Sequence, residues 1–179
     1  MKYIVPLPQV SDKTMTMIRD IYAAGLRKRL FQYGDGIQIT NHFIDNTNDF
    51  DVIMESVVKP AGINPDDVGN LWNKMDSEYQ CNGINFNVMR GGDFLKPHCD
   101  YNPTKLNILI SGKTMYRIHY LGEDQSESYD WEYPALCDVS KKHYVDDMAP
   151  DAPERVMLQI FIKKSFDYYK NVINLNPTW

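Results

Sequence analysis

Apolar residues recur along this chain in two rhythms. Over residues 11–30, SDKTMTMIRDIYAAGLRKRL, Met15, Ile18, Ile21 and Tyr22 repeat at helical spacing behind a possible Ser11 N-cap with Asp12 beside it, which predicts a helix. GDGIQIT reads as a Gly-bounded turn into a short strand ending near Ile44, and residues 49–58 read as helical. NPDDVGNLWNKMDSEYQ has Asn64 to cap and Pro65 in the first turn, predicting a further helix to about residue 79. From residue 83 the rhythm shortens. INFNVMR, FLKPHCDYN, KLNILIS, TMYRIHYLG, PALCDVS and RVMLQIFIKK read as strands, parted by turns such as GGD and GK, with EDQSESYDWEY as a polar, acidic loop. Helices first and strands second predict an α+β fold, an antiparallel barrel or sandwich with helices packed outside.

Length and composition narrow this little. The 179 residues suit one domain, 1–179, with a helix-rich part at 1–80, a β core with the site at 81–165 and a C-terminal tail at 166–179. A 43% hydrophobic and 24% charged content is that of an ordinary globular chain, and 12 Tyr favour β-structure. Charge excludes more. A net charge of −5 with no basic run longer than Arg27-Lys28-Arg29 makes nucleic acid an unfavourable partner. No run of 18 apolar residues predicts a membrane span, and MKYIVPLPQVSD, broken by Pro6 and Pro8, does not read as a signal peptide. Three Cys without a CxxC pair fit free thiols, so the expected location is cytoplasmic.

Chemistry concentrates in FLKPHCDYNP. In a strand, alternate residues share a face, so His98 and Asp100 should project together and Cys99 away, as a packing residue. An imidazole and a carboxylate are two parts of the 2-His-1-carboxylate facial triad that holds Fe(II). Two downstream histidines, His119 and His143, are candidates for the third part. Arg155 opens a later strand and shares a face with Met157, Gln159 and Phe161, an inward orientation. A guanidinium there suits the far carboxylate of a dicarboxylate ligand. Asn102, Lys105 and Asn107 follow the His98–Asp100 pair and can face substrate or co-substrate, with Asn107 the best placed. His42 reads as a strand or surface residue, and Tyr129, Trp131 and Tyr133 as loop packing.

The order His98, Asp100, His143, Arg155 resembles the Fe(II)/2-oxoglutarate-dependent dioxygenases: His-x-Asp, a distal His, then a basic residue. NVMRGGDFLKPHCDYN is similar to the strand, Gly turn and strand leading to that motif in the prolyl-4-hydroxylase-like branch, with Gly92 at the turn. Met89 stands where those members commonly carry Tyr, and Asn87 where the AlkB-like branch carries a co-substrate-binding Asn. Phe161 stands where the nucleic-acid-repairing branch has its second Arg, which tells against a nucleobase substrate. The resemblance covers residues 83–163. It implies a double-stranded β-helix (jelly-roll, cupin-like) core with N-terminal helices packed on the major sheet. It also implies Fe(II) on His98, Asp100 and His143, which then act as the catalytic residues, and 2-oxoglutarate bound by Arg155, Asn87 and Asn107. O2 is the further co-substrate, and the expected reaction is hydroxylation of a C–H bond, on a peptidyl or amino-acid side chain first. Two rival readings are a cupin-like metalloprotein that takes no oxo acid and a non-catalytic jelly-roll binding module, for which Met89 is the best support.

Overall fold

The computed structural model describes the chain except residues 25–26, 33–36, 45, 72–81, 113–116, 123–125 and 174. Its strands are β1 (Ile4–Pro6), β2 (Arg27–Gln32), β3 (Ile37–Phe43), β4 (Ile84–Met89), β5 (Phe94–His98), β6 (Thr104–Ser111), β7 (Ile118–Leu121), β8 (Ser126–Tyr129), β9 (Ala135–Asp138), β10 (His143–Val145) and β11 (Arg155–Ile162). The helices are α1 (Asp12–Ala23), α2 (Thr47–Ile53), which continues into a π turn at Met54–Val58, and α3 (Phe166–Val172).

The strands pair antiparallel in the order β1-β9-β6-β11-β4-β3-β5-β10-β7-β8, with β2 added on β3. Strand β3 is the joint. Residues 40–43 pair with β4, while residues 37–38 pair with β5. One strand therefore carries the ladder from the larger layer, β1-β9-β6-β11-β4, to the smaller one, β5-β10-β7-β8. This is the double-stranded β-helix that the resemblance implies.

Period-2 alternation decides what lies on each face of the larger layer. Ile84, Phe86 and Val88 of β4, Leu106, Ile108 and Ile110 of β6, and Val156, Leu158, Ile160 and Ile162 of β11 join one core cluster with Ile18, Ile21, Ile53, Val57, Val58, Phe166 and Tyr169 of the helices. The remaining positions face the other way and include Asn85, Asn87, Met89, Lys105, Asn107, Arg155, Met157 and Gln159. An apolar face under helices and a polar face opposite make a barrel whose interior can bind a charged ligand. Tyr169 anchors α3 through that core: its hydroxyl donates to Asp67 Oδ2 at 2.6 Å and accepts from the Asn64 amide at 3.1 Å.

The first helix begins as its sequence predicts, with Ser11 Oγ accepting from the Thr14 amide. It ends at Ala23, not residue 30, because Arg27–Gln32 pair along β3. The helix expected from Asn64 is a single 3₁₀ turn at Pro65–Asp67, after which Val68 bridges to Ile162; residues 72–81 lie outside the described part. The acidic loop contains strand β8, which pairs Tyr129 with Ile118 and Glu127 with Tyr120. Its alternation is hidden in the sequence because Ser128 is solvent-facing while Tyr129 is buried.

The turn joining β4 to β5 needs both glycines. Gly92 has a φ of +87°, and a Cβ on Gly91 would sit 2.2 Å from the Pro150 carbonyl oxygen. That contact docks the turn against the segment that leads into Arg155. Among the described residues, no helix is long and apolar enough to cross a membrane.

Candidate metal centre

The smaller layer assembles the histidines. His143 opens β10 and lies directly opposite His98, the last residue of β5, on one side and Tyr120 of β7 on the other. The two imidazole rings are 4.4 Å apart, centroid to centroid. Strand β5 stops at His98, so strand alternation does not place Asp100. A backbone hydrogen bond from the Asp100 amide to the Val139 carbonyl, at 2.8 Å, turns the chain instead. Asp100 Oδ1 then lies 3.3 Å from His98 Nε2, and Oδ2 lies 3.9 Å from His143 Nε2. One ligand atom from each residue lies within 4.8 Å of the others. Cys99, expected as a packing residue on the face opposite His98 and Asp100, is exposed, because it sits past the strand end.

Two details suit this trio to a divalent cation. The Nδ1 of His98 donates to the Lys96 carbonyl and that of His143 to the Lys141 carbonyl, each at 2.8 Å. A carbonyl only accepts, so the proton is held on Nδ1 and Nε2 is the atom turned to Asp100 in both rings. That is how ligand histidines are oriented. The donor set, two imidazoles and a carboxylate, is the one that suits Fe(II) with open positions.

Electrostatics suit His143 and Asp100 to serve as ligands. His143 is 3% exposed. Burial, partly opposed by Asp100, pulls its pKa down to about 4, so the ring is neutral at pH 7. Burial would raise the Asp100 carboxyl, but the Lys105 ammonium, 2.6 Å from Oδ2, leads the opposing causes, and together they hold the group well below the usual carboxylate range.

The His143 shift carries a pH dependence. An unfolded imidazole titrates near 6.5, so between pH 6.5 and about 4 the unfolded chain binds a proton that the folded metal-free chain refuses. Stability therefore falls as pH drops through this window. Between pH 6.5 and 5 the loss from His143 is about 1.5 kcal/mol, because the slope reaches its full 1.36 kcal/mol per pH unit only below the unfolded pKa. Urea unfolding of metal-free protein at those two pH values measures it. His143→Gln should flatten the slope, and an unchanged slope in that variant would refute the assignment.

Arg155 is 2% exposed at the start of β11, opposite Met89 on β4. Its Nη2 lies 3.4 Å from Asn87 Oδ1 and 3.1 Å from Met89 Sδ. Burial lowers its pKa to about 10, with Asp146 acting in the opposite sense, so it remains a cation at neutral pH. Asn87 in turn donates from Nδ2 to Asn41 Oδ1 at 3.3 Å. Asn107 lies on the same inner face, between Gln159 and Ala135 in register, with its Oδ1 buried and no hydrogen-bond partner found for it among the described residues. Burial pushes the neighbouring Cys137 thiol up to about 12, which leaves it protonated.

Other candidates fall away from the site. His119 pairs in register with Tyr144, one residue out of phase with His143, so it faces outward and bonds Asp146 Oδ1 at 2.6 Å. His42 is buried and stacks on Tyr22 beside the helices. Asn102, considered for substrate contact, accepts from the Leu71 amide and donates to the Gly69 carbonyl, tying loops together. Trp131 is buried edge-on against Tyr129, as packing. A cavity of about 250 Å³ between α1, β6 and residues 131–134 shares no residue with the trio or with Arg155. Sequence reasoning underrated Lys105, whose pairing with Asp100 depends on chain reach and not on periodicity.

No family model matches the sequence, and no curated protein matches it. Solved structures do match in fold. An oxidoreductase of the 2OG-Fe(II) oxygenase family from Burkholderia pseudomallei superposes with a TM-score of 0.66 at 14% identity, over 92% of this chain and 87% of that one. A prolyl-4-hydroxylase from Pseudomonas putida gives 0.52 at 10% identity, over 90% and 93%. A Trichoplax adhaerens prolyl hydroxylase, in complex with a hypoxia inducible factor oxygen degradation domain peptide fragment, gives 0.56 at 12% identity, over 89% and 81%. The chain therefore has the double-stranded β-helix fold of the 2OG-Fe(II) oxygenases, prolyl hydroxylases among them.

Proposed function

We propose that this protein is an Fe(II)- and 2-oxoglutarate-dependent dioxygenase that hydroxylates a C–H bond. The observation that carries the reading is the convergence of His98, Asp100 and His143 at one end of the barrel interior with a buried Arg155 on the same inner surface. In this reading His98 Nε2, His143 Nε2 and an Asp100 oxygen hold the metal. Bound there, Fe(II) supplies the oxidation chemistry, in which O2 and 2-oxoglutarate yield a hydroxylated product, succinate and CO2.

The chain's own residues supply position and environment. Arg155 receives the far carboxylate of 2-oxoglutarate, and its planar fork suits two parallel hydrogen bonds. Asn87 holds the guanidinium in place and is itself held by Asn41. Asn107 offers its buried amide to the co-substrate. Met89, where related enzymes use a Tyr hydroxyl, packs its sulfur on the guanidinium and donates nothing. Exposed Tyr101 is badly placed to replace that donor. Met157 and Tyr120, both buried, keep bulk water from the interior.

A peptidyl or amino-acid side chain is the preferred substrate. The peptide held by the Trichoplax neighbour supports that class, and the net charge of −5 disfavours nucleic acid. Three cysteines without a CxxC pair favour a reducing, cytoplasmic site of action.

The test is anaerobic addition of Fe(II) and 2-oxoglutarate to metal-stripped protein. A weak visible charge-transfer band is expected once both are present. Iron binding without the band would favour the cupin-like metalloprotein, and folded protein that binds no iron would favour the non-catalytic module.

A further inference from the structure

Lys105 has more to do than its place in strand β6 requires. Its side chain is 11% exposed, and its Nζ lies 2.6 Å from Asp100 Oδ2 and 4.5 Å from the centre of the Phe161 ring. Register explains the enclosure: Lys105 sits directly between Phe161 of β11 and Cys137 of β9, on the inner face. The ammonium is thus bracketed by an aromatic face and a carboxylate that a divalent cation would also need.

We propose that Lys105 is a positioning residue that serves as the internal counter-ion of the metal centre, stabilising Asp100 when no metal is bound and opposing the cation that binds there. This rests on the reading of His98, Asp100 and His143 as a metal centre. Two effects of Lys105 compete. Its ion pair with Oδ2 holds the carboxylate in place, which favours binding; its positive charge repels a dication, which disfavours it. Orientation has another source: the Asp100 amide is fixed to the Val139 carbonyl, which sets the backbone from which the carboxylate projects. Charge has no such redundancy. A like charge within about 4–6 Å shifts a protonation equilibrium by roughly 10- to 1,000-fold, and a dication feels at least as much. Repulsion therefore wins, and losing the ammonium should tighten metal binding.

The obvious variant is Lys105→Met, which keeps an unbranched stem against Phe161 and removes the charge. The measurement is Mn(II) titration of metal-stripped protein, with free Mn(II) read by electron paramagnetic resonance and thermal unfolding followed alongside. Lys105→Met is expected to bind Mn(II) about 10-fold or more tightly than wild type. Its metal-free form should melt lower, and Mn(II) should raise its melting temperature more. Lys105→Arg, which retains the charge, should bind within about threefold of wild type. Equal or weaker binding in Lys105→Met, with wild type binding normally, overturns the proposal and leaves the metal centre standing. No binding in either protein overturns the metal centre itself and the proposal with it. Should Lys105→Met fail to fold, Lys105→Gln, which keeps a donor for Oδ2 without charge, must also bind more tightly than wild type, or the proposal fails.

Discussion

Asp100→Ala is expected to abolish useful divalent-ion binding and to destabilise the metal-free protein at the same time. Asp100 is the single carboxylate of the trio, and what remains is two imidazoles. Changes in residues that merely orient ligands cost about 10- to 100-fold in metal affinity, so removal of a ligand should cost at least about 100-fold. The stability effect has a separate origin. The Lys105 ammonium, 11% exposed, loses the carboxylate that lies 2.6 Å away. Breaking one side of a largely buried pair costs about 3 kcal/mol. Adding Lys105→Met to Asp100→Ala should recover most of that stability and none of the metal binding, a non-additivity that a double-mutant cycle resolves. Mn(II) titration and urea unfolding are the measurements. Retained affinity within about tenfold of wild type would sink the assignment of Asp100 as a ligand.

Arg155→Met should have the opposite signature, with metal affinity intact and 2-oxoglutarate affinity lost. Methionine keeps much of the length of the side chain in a fully buried position and removes the fork. Truncating one partner of a buried charge pair costs about 2–5 kcal/mol, so 2-oxoglutarate should bind at least about 30-fold more weakly in the presence of Mn(II). Arg155→Lys should not restore it fully, since a point charge cannot make two parallel hydrogen bonds. Calorimetric titration with Mn(II) present measures both variants. A loss below about threefold in Arg155→Met would remove the guanidinium from the co-substrate site and leave the metalloprotein reading.

Much of this arrangement was legible in the sequence, and the parts that were not share a cause. The inner and outer faces of β4, β6 and β11 follow from alternation, because each strand is long and regular. The Ser11 cap was legible because capping is local. Strand β2 was not, since RKRLFQ has good helix formers and becomes a strand by pairing with β3. Strand β8 has only four residues, and its polar serines disguise its alternation. His98 and Asp100 were rightly brought together for an incomplete reason: strand alternation ends at His98, and a hydrogen bond to Val139 does the rest. His119 and His143 could not be told apart by type. Their pairing phase across β7 and β10 separates them, and phase between distant strands is not written in either strand alone.

Strand β1 pairs Ile4 with Cys137, so the outermost ladder of the larger layer joins residues far apart in sequence. On a ribosome adding about 5–20 residues per second, β1 waits on the order of ten seconds before β9 has been made. His143 is synthesised after β9 and Arg155 after that. A site that needs His98, Asp100 and His143 together therefore cannot form until β10 has been made, so an ion held by all three would load only after that point.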